Sequence, residues 1–290
     1  MSTPRSLELP TGVEVQPIET PRGTFAAHVA RPSRPRAHVL LVPGWTGSKE
    51  DFTPLVALLG AAGFAATAYD QRGQFETAGG PGDDYSLAGL ADDALAVASA
   101  AAPGSPAGPS VGSSHLLGHS FGGLVAQTAV VQSASAWRSL SLLCTGPGAL
   151  GESEDRPLSR MVEALDDLPL ERVHELREEA REVPSPPEVA AFLRHRFTSN
   201  APASLRAITV HLMTAPDRVD EVSAGGVPVW VGRGADDDAW PHDVQDRMAE
   251  RLGTSVHVVP DAAHSPAVEN PEGLAAAWLP FLSLTSEESS

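Results

Sequence analysis

Residues 113–118 of this 290-residue chain read as a strand and 121–134 as a helix, joined by no more than the turn Gly118-His119-Ser120. A strand that bends straight into a helix belongs to a sheet whose neighbouring layer is helical, and the same alternation runs on either side. Residues 37–42 form a short apolar run of the kind buried on both faces of a parallel sheet. A helical pattern covers 51–62 and stops at Gly63, a strand follows at 65–70 and a helix at 86–102. After the junction come a strand at 139–144, another at 227–232, a helix from Pro241, a strand at 254–259 and a helix at about 267–279. Residues 13–20 and 23–31 read as an antiparallel hairpin around a Pro-Arg-Gly turn. Such alternation predicts a parallel sheet with helices on both faces, and a ligand site beyond the carboxyl ends of its strands.

The stretch 150–222 breaks the pattern. It is charged and helical in period, interrupted at Pro169, at the Pro-Ser-Pro-Pro run 184–187 and at Pro202, with no convincing strand. It reads as a helical cap inserted between two strands, leaving residues 1–149 and 223–290 as the core. The polar tail 285–290, Thr-Ser-Glu-Glu-Ser-Ser, reads as disordered.

Composition narrows the function. A formal charge of −17 disfavours nucleic acid or anionic lipid as partner, because both reward clustered Lys and Arg. Lys49 is the sole lysine, so Schiff-base chemistry has one place to happen and is set aside. A single cysteine, Cys144, precludes an intrachain disulfide framework and suits a reducing compartment. No apolar run has the length of a membrane span, and the first residues lack a signal-peptide core. The expected location is the cytoplasm and the expected partner a small-molecule substrate. No H-x-H, H-E-x-x-H or Cys/His ligand spacing, G-x-G-x-x-G or P-loop occurs, so neither a metal nor an organic cofactor is expected.

Two G-x-S-x-G matches are present, and context separates them. Gly108-Pro109-Ser110-Val111-Gly112 lies in a Pro/Gly linker where nothing forces the serine into a tight turn. Gly118-His119-Ser120-Phe121-Gly122 joins strand to helix, the setting in which a sharp turn exposes a nucleophilic Oγ and small neighbours relieve crowding. A helix starting at Phe121 also turns unsatisfied N–H groups toward the serine.

Five short segments occur in order: PGWTGS (43–48), YDQRG (69–73), GHSFGG (118–123), GADDDAWP (234–241) and DAAHSP (261–266). On these the chain resembles the α/β-hydrolase superfamily over nearly its whole length. The resemblance implies an α/β fold with a mostly parallel eight-stranded sheet, a triad of Ser120, Asp237 and His264, and no cofactor. In such hydrolases the triad runs Ser, then Asp or Glu, then His. Of the histidines beyond the acid loop, His257 lies inside a strand and His242 sits too close to that loop, whereas His264 falls just past a strand end. Among Asp236, Asp237 and Asp238, Asp237 is three residues after Gly234 and four before a Pro-started helix. Its neighbours read as solvated or capping. The oxyanion hole is assigned to the backbone N–H groups of Trp45 and Phe121.

Two departures stand out: Pro43 where many relatives carry His, and Gln74-Phe75-Glu76-Thr77 where many continue with Gly and then Ser. Asp70 and Arg72 read as loop-fixing residues. With serine at 120, epoxide-hydrolase and haloalkane-dehalogenase chemistry, which use aspartate there, is disfavoured. The expected activity is cleavage of a carboxylic ester of a small or medium-sized substrate through an acyl-enzyme. Carbon–carbon bond hydrolysis, amide hydrolysis and haloperoxidase-like perhydrolysis use the same triad. A non-catalytic small-molecule receptor is the alternative from another class.

Overall fold

The computed structural model describes residues 2–102, 114–151, 157–180 and 185–287. The decoy Ser110 and the linker around it, Pro184, and residues 288–290 lie outside the described residues. Strands β1 (Glu14–Thr20) and β2 (Gly23–Ala30) form the expected hairpin, paired antiparallel from Glu14↔Val29 to Thr20↔Gly23. β2 continues antiparallel onto β4 (Ala65–Tyr69). From there β3 (His38–Val42), β5 (Ser114–His119), β6 (Trp137–Leu143), β7 (Val229–Gly234) and β8 (Val256–Val259) run parallel. The order across the eight-stranded sheet is β1-β2-β4-β3-β5-β6-β7-β8.

The central strands β3, β4 and β5 are buried at every position, because helices cover both faces. On one face α2 (Leu87–Ala101) and α3 (Phe121–Gln132) bring Leu90, Ala94 and Val125 against Leu40, Val42 and Leu116. On the other, α1 (Thr53–Ala61) and α11 (Pro271–Glu287) bring Val56, Leu59, Leu274 and Trp278 against Val39, Leu41 and Leu117. Alternate residues of one strand therefore feed two separate apolar layers.

Between β6 and β7 lie α4 (Leu158–Asp167), α5 (Leu170–Glu179), α6 (Pro187–Thr198), α7 (Pro202–Thr214) and α8 (Val219–Ala224). Leu165, Leu170, Val173, Phe197 and Leu205 form a small apolar cluster among the first four of these helices. Beyond β7, α9 (His242–Arg251) and the short α10 (Pro266–Glu269) precede α11. Among the described residues no helix is long and apolar enough to cross a membrane.

Two expectations at the carboxyl end need correction. The helix read at about 267–279 is two helices broken at Asn270, whose Oδ1 accepts from the Gly273 amide and starts α11 afresh. α11 then runs past Pro280 to Glu287, into the stretch expected to be disordered. Thr285 is buried and Ser286 half-buried, while Glu287 stays exposed. Ser286 Oγ donates to Leu282 O and meets His115 Nε2 at 3.1 Å, while Arg138 donates to the Ser286 carbonyl.

Candidate active site

Register aligns the carboxyl ends of the strands, with Val42 beside Gly118, His119 beside Leu143, and Leu143 beside Gly232. The loops that follow β3, β5, β7 and β8 consequently open on one edge. After β5 the chain reverses within one residue: Ser120 has φ 54° and ψ −123°, then α3 begins. A β-carbon at 118 would sit 2.2 Å from the Gly122 carbonyl oxygen, and one at 122 would sit 2.3 Å from that of Val42. Only glycines permit the turn to pass so close to β3.

Ser120 Oγ lies 3.0 Å from His264 Nε2, and His264 Nδ1 lies 2.8 Å from Asp237 Oδ1. With a carboxylate on Nδ1, that nitrogen carries the proton and Nε2 is left to accept from the serine. Asp237 is 4% exposed and accepts two further bonds, from the Ala239 amide at Oδ1 and from Gln245 Nε2 at Oδ2. Burial works to raise its pKa, but the hydrogen bond and charge of His264, with these donors, hold it below the usual carboxylate value. Asp236 and Asp238 are exposed, so the middle aspartate alone meets the imidazole.

Other contacts fix the two loops. Asp236 N donates to Ala262 O, tying the acid loop to the histidine loop. Glu269 accepts from the amides of both Ala263 and Ser265, either side of His264. His257 is exposed and stacks on Trp230 at 5.4 Å, away from the relay. His242 Nε2 donates to the Asp237 backbone carbonyl at 2.8 Å.

The loop after β3 brings Gly44 so near the serine that a β-carbon there would lie 2.9 Å from Ser120 Cβ. Neither the Trp45 nor the Phe121 amide has a hydrogen-bond acceptor among the described residues. Beneath this loop Lys49 Nζ contacts Glu50 at 2.9 Å, Asp70 at 3.0 Å and Glu76 at 2.6 Å. Burial opposes the Lys49 charge, yet the three carboxylates raise its pKa. Asp70 also accepts from the Lys49 amide, while Arg72 binds Asp93 and the Arg22 carbonyl, both consistent with loop-fixing roles.

Several residues that no sequence pattern assigns to the site also touch it. His119 Nε2 donates to the His264 carbonyl at 2.6 Å, and burial, aided by the nearby His264, pushes its pKa down to about 3, so the ring is neutral. Cys144, His119 and His264 offer ligand atoms within 4.8 Å of one another, a convergence no local spacing announces. Both nitrogens of His264 and one of His119 are already engaged in hydrogen bonds, to Asp237, Ser120 and the His264 carbonyl. Gln71 lies within the YDQRG segment and Gln74 just after it, but nothing in the pattern assigns either of them, or Gln245, to the site.

Above the relay lies a cavity of about 920 Å³ reached by Ser120, His264 and Trp45. Leu158, Met161, Val173, Leu176 and Leu212 give it apolar walls, with Arg160, Arg177 and Asp238 as its charged members. The Arg177 guanidinium lies 5.0 Å from the rings of both Trp45 and Phe197.

The model of the alpha/beta hydrolase family matches residues 39–277, a span that runs from β3 into α11 and includes the whole relay. The chain belongs to the alpha/beta hydrolase family. No curated protein sequence matches it. Among solved structures, a carboxylesterase of the thaumarchaeon Nitrososphaera gargenis superposes with a TM-score of 0.73 at 20% identity, over 94% of this chain and 100% of that one. A thermophilic esterase of Thermogutta terrifontis gives 0.71 at 22% identity, over 94% and 99%. The bromoperoxidase of Bacillus anthracis gives 0.74 at 15% identity, over 93% and 100%. This α/β hydrolase thus shares its fold with esterases and with a peroxidase alike.

Proposed function

We propose that this α/β hydrolase cleaves carboxylic esters through an acyl-enzyme, with Ser120 as nucleophile, His264 as general base and Asp237 as the acid that orients it. The observation that carries the reading is the unbroken hydrogen-bond path from Ser120 Oγ through His264 to Asp237, at 3.0 and 2.8 Å. As Oγ attacks the ester carbon, its proton passes to His264 Nε2, and Asp237 stabilises the imidazolium. The oxyanion accepts from the Trp45 and Phe121 amides. His264 then protonates the departing alcohol. Water attacks the acyl-serine, gives its proton to His264, and the proton returns to Ser120 as the carboxylic acid leaves.

Residues 150–222 act as a cap on a core of residues 1–149 and 223–290. The apolar walls that α4, α5 and α7 give the cavity favour an ester with a sizeable apolar group. Its single cysteine, Cys144, free and buried, suits a cytoplasmic enzyme. A non-catalytic receptor has no need of a complete relay beside such a cavity.

A fluorophosphonate probe is expected to label Ser120, and Ser120→Ala is expected to abolish both labelling and hydrolysis of p-nitrophenyl esters. Labelling that survives in Ser120→Ala sinks the assignment. Turnover of vinylogous diketones in preference to the esters transfers the same triad to carbon–carbon bond hydrolysis.

A further inference from the structure

The loop that carries the Trp45 amide lacks the histidine many relatives hold at position 43, yet it is not loosely held. Gln71 Nε2 donates to the Pro43 carbonyl at 3.0 Å, and Gln74 Nε2 donates to the Gly44 carbonyl at 3.1 Å. Gly44 O also accepts from the Gly47 amide at 3.1 Å. Both glutamines are 1% exposed, and both come from the loop after β4, in and just beyond the Asp-Gln-Arg-Gly segment.

The Gly44 carbonyl and the Trp45 N–H are opposite ends of one trans peptide, so fixing the oxygen fixes the direction of the hydrogen. Two donors on that oxygen also polarise the peptide and strengthen its N–H as a donor. We propose that Gln74 is a positioning residue for catalysis, holding the Gly44–Trp45 peptide so that its N–H meets the developing oxyanion. This role rests on the serine-hydrolase reading above. Gln71 secures the preceding peptide, whose N–H belongs to Gly44, and acts as the matched comparison.

A second observation favours a role in orientation. The Oε1 atoms of Gln71 and Gln74 are buried with no hydrogen-bond partner among the described residues. A buried amide with one end unanswered costs stability. An apolar side chain of similar size avoids that cost but cannot hold the carbonyl. Reversing the amide does not help, because it sets Oε1 against the Gly44 carbonyl oxygen.

The test uses Gln74→Met, Gln74→Glu and Gln71→Met in the full chain. Gln74→Met is expected to lower kcat on p-nitrophenyl butyrate roughly 10- to 100-fold, somewhat less than outright loss of an oxyanion donor. KM should stay within about twofold, and affinity for a trifluoromethyl ketone, whose adduct carries the oxyanion, should fall by the same factor as kcat. In Gln74→Glu the ionised carboxylate cannot donate, but the protonated acid can. Its activity relative to wild type should rise as pH falls from 9 to 5, while the ratio for Gln74→Met stays flat. Gln71→Met should lose less activity than Gln74→Met. The proposal is overturned if folded Gln74→Met keeps its kcat and its ketone affinity, if the loss falls on KM alone, or if the Glu ratio is flat with pH. Fluorophosphonate labelling separates the two claims. A wild-type protein that resists labelling at Ser120 defeats the hydrolase reading and this role with it. Labelling of Ser120 in both proteins, with kcat unchanged in Gln74→Met, defeats the positioning role alone.

Discussion

At the scale of single residues the relay depends on how Asp237 is dressed. Its Oδ1 faces the imidazole while Gln245, itself fully buried, donates to Oδ2 and to the Trp240 carbonyl. The carboxylate is thereby held in one rotamer and kept ionised. Asp237→Asn should leave the fold in place and lower kcat by about 10⁴-fold, because the amide favours the wrong imidazole tautomer. Gln245→Leu removes one donor and lets the carboxylate rotate. A fall in kcat of roughly 10-fold with KM unchanged is expected, since the lost contact matters most when the imidazole is charged. Steady-state kinetics on one ester measures both, and a Gln245→Leu enzyme that matches wild type removes that residue from the relay. The sequence made Ser120, His264 and Asp237 legible for a physical reason: each follows a strand end or precedes a helix start, and periodicity marks those places. Gln71, Gln74, Gln245 and His119 were not legible as parts of the site. Their partners lie 28, 30, 8 and 145 residues away, and nothing local to a glutamine records a carbonyl that the fold brings beside it.

At the scale of elements, the strand-to-helix turn after β5 leaves no room for a side chain at Gly118 or Gly122. Gly122→Ala drives a methyl group to 2.3 Å from the Val42 carbonyl and 2.6 Å from that of Pro43, both backbone atoms that cannot swing aside. A loss of about 3 kcal/mol or more is expected, by separation of α3 from β3. Gly82→Ala, with nothing within 4 Å of the new carbon, should stay within about 0.5 kcal/mol of wild type. Urea melts of the two variants check the contrast, and equal midpoints contradict it. The elements themselves were largely readable, because apolar runs such as residues 39–42 mark strands buried on both faces. Their lateral order was not: that β4 lies between β2 and β3 is a matter of crossover and register, which periodicity does not encode. The end of α11 departs from expectation for a different reason. Thr285 and Ser286 look like solvated residues, but each hydroxyl bonds back to its own helix, and His115 and Arg138 reach across to secure Ser286.

At the scale of the whole molecule, burial keeps His38, His115 and His119 of the sheet neutral, though ordinary water would leave them half-charged near pH 6.5. Burial pushes His38, His115 and His119 each down to about 3. His38 rests between Ser114 and Thr67 hydroxyls, and His115 between those of Ser139 and Ser286, so neutral partners satisfy both rings. Between pH 6.5 and 3 the unfolded chain takes up protons at these positions and the folded one does not. Stability from them is therefore complete above about pH 6.5 and drains away as the pH falls, at about 1.4 kcal/mol per pH unit for each histidine. Relief of repulsion as the net charge of −17 is neutralised acts in the opposite direction, so the absolute curve mixes the two. A comparison of variants isolates the histidine contribution. His38→Gln keeps a hydrogen-bonding side chain without a titrating one, and its stability should fall less steeply than wild type's from pH 6.5 to pH 5, by about 2 kcal/mol across that interval. Urea unfolding at half-unit steps provides the measurement. Two curves that descend in parallel would mean that His38 already carries its proton inside the folded sheet, or that the unfolded chain never takes one up.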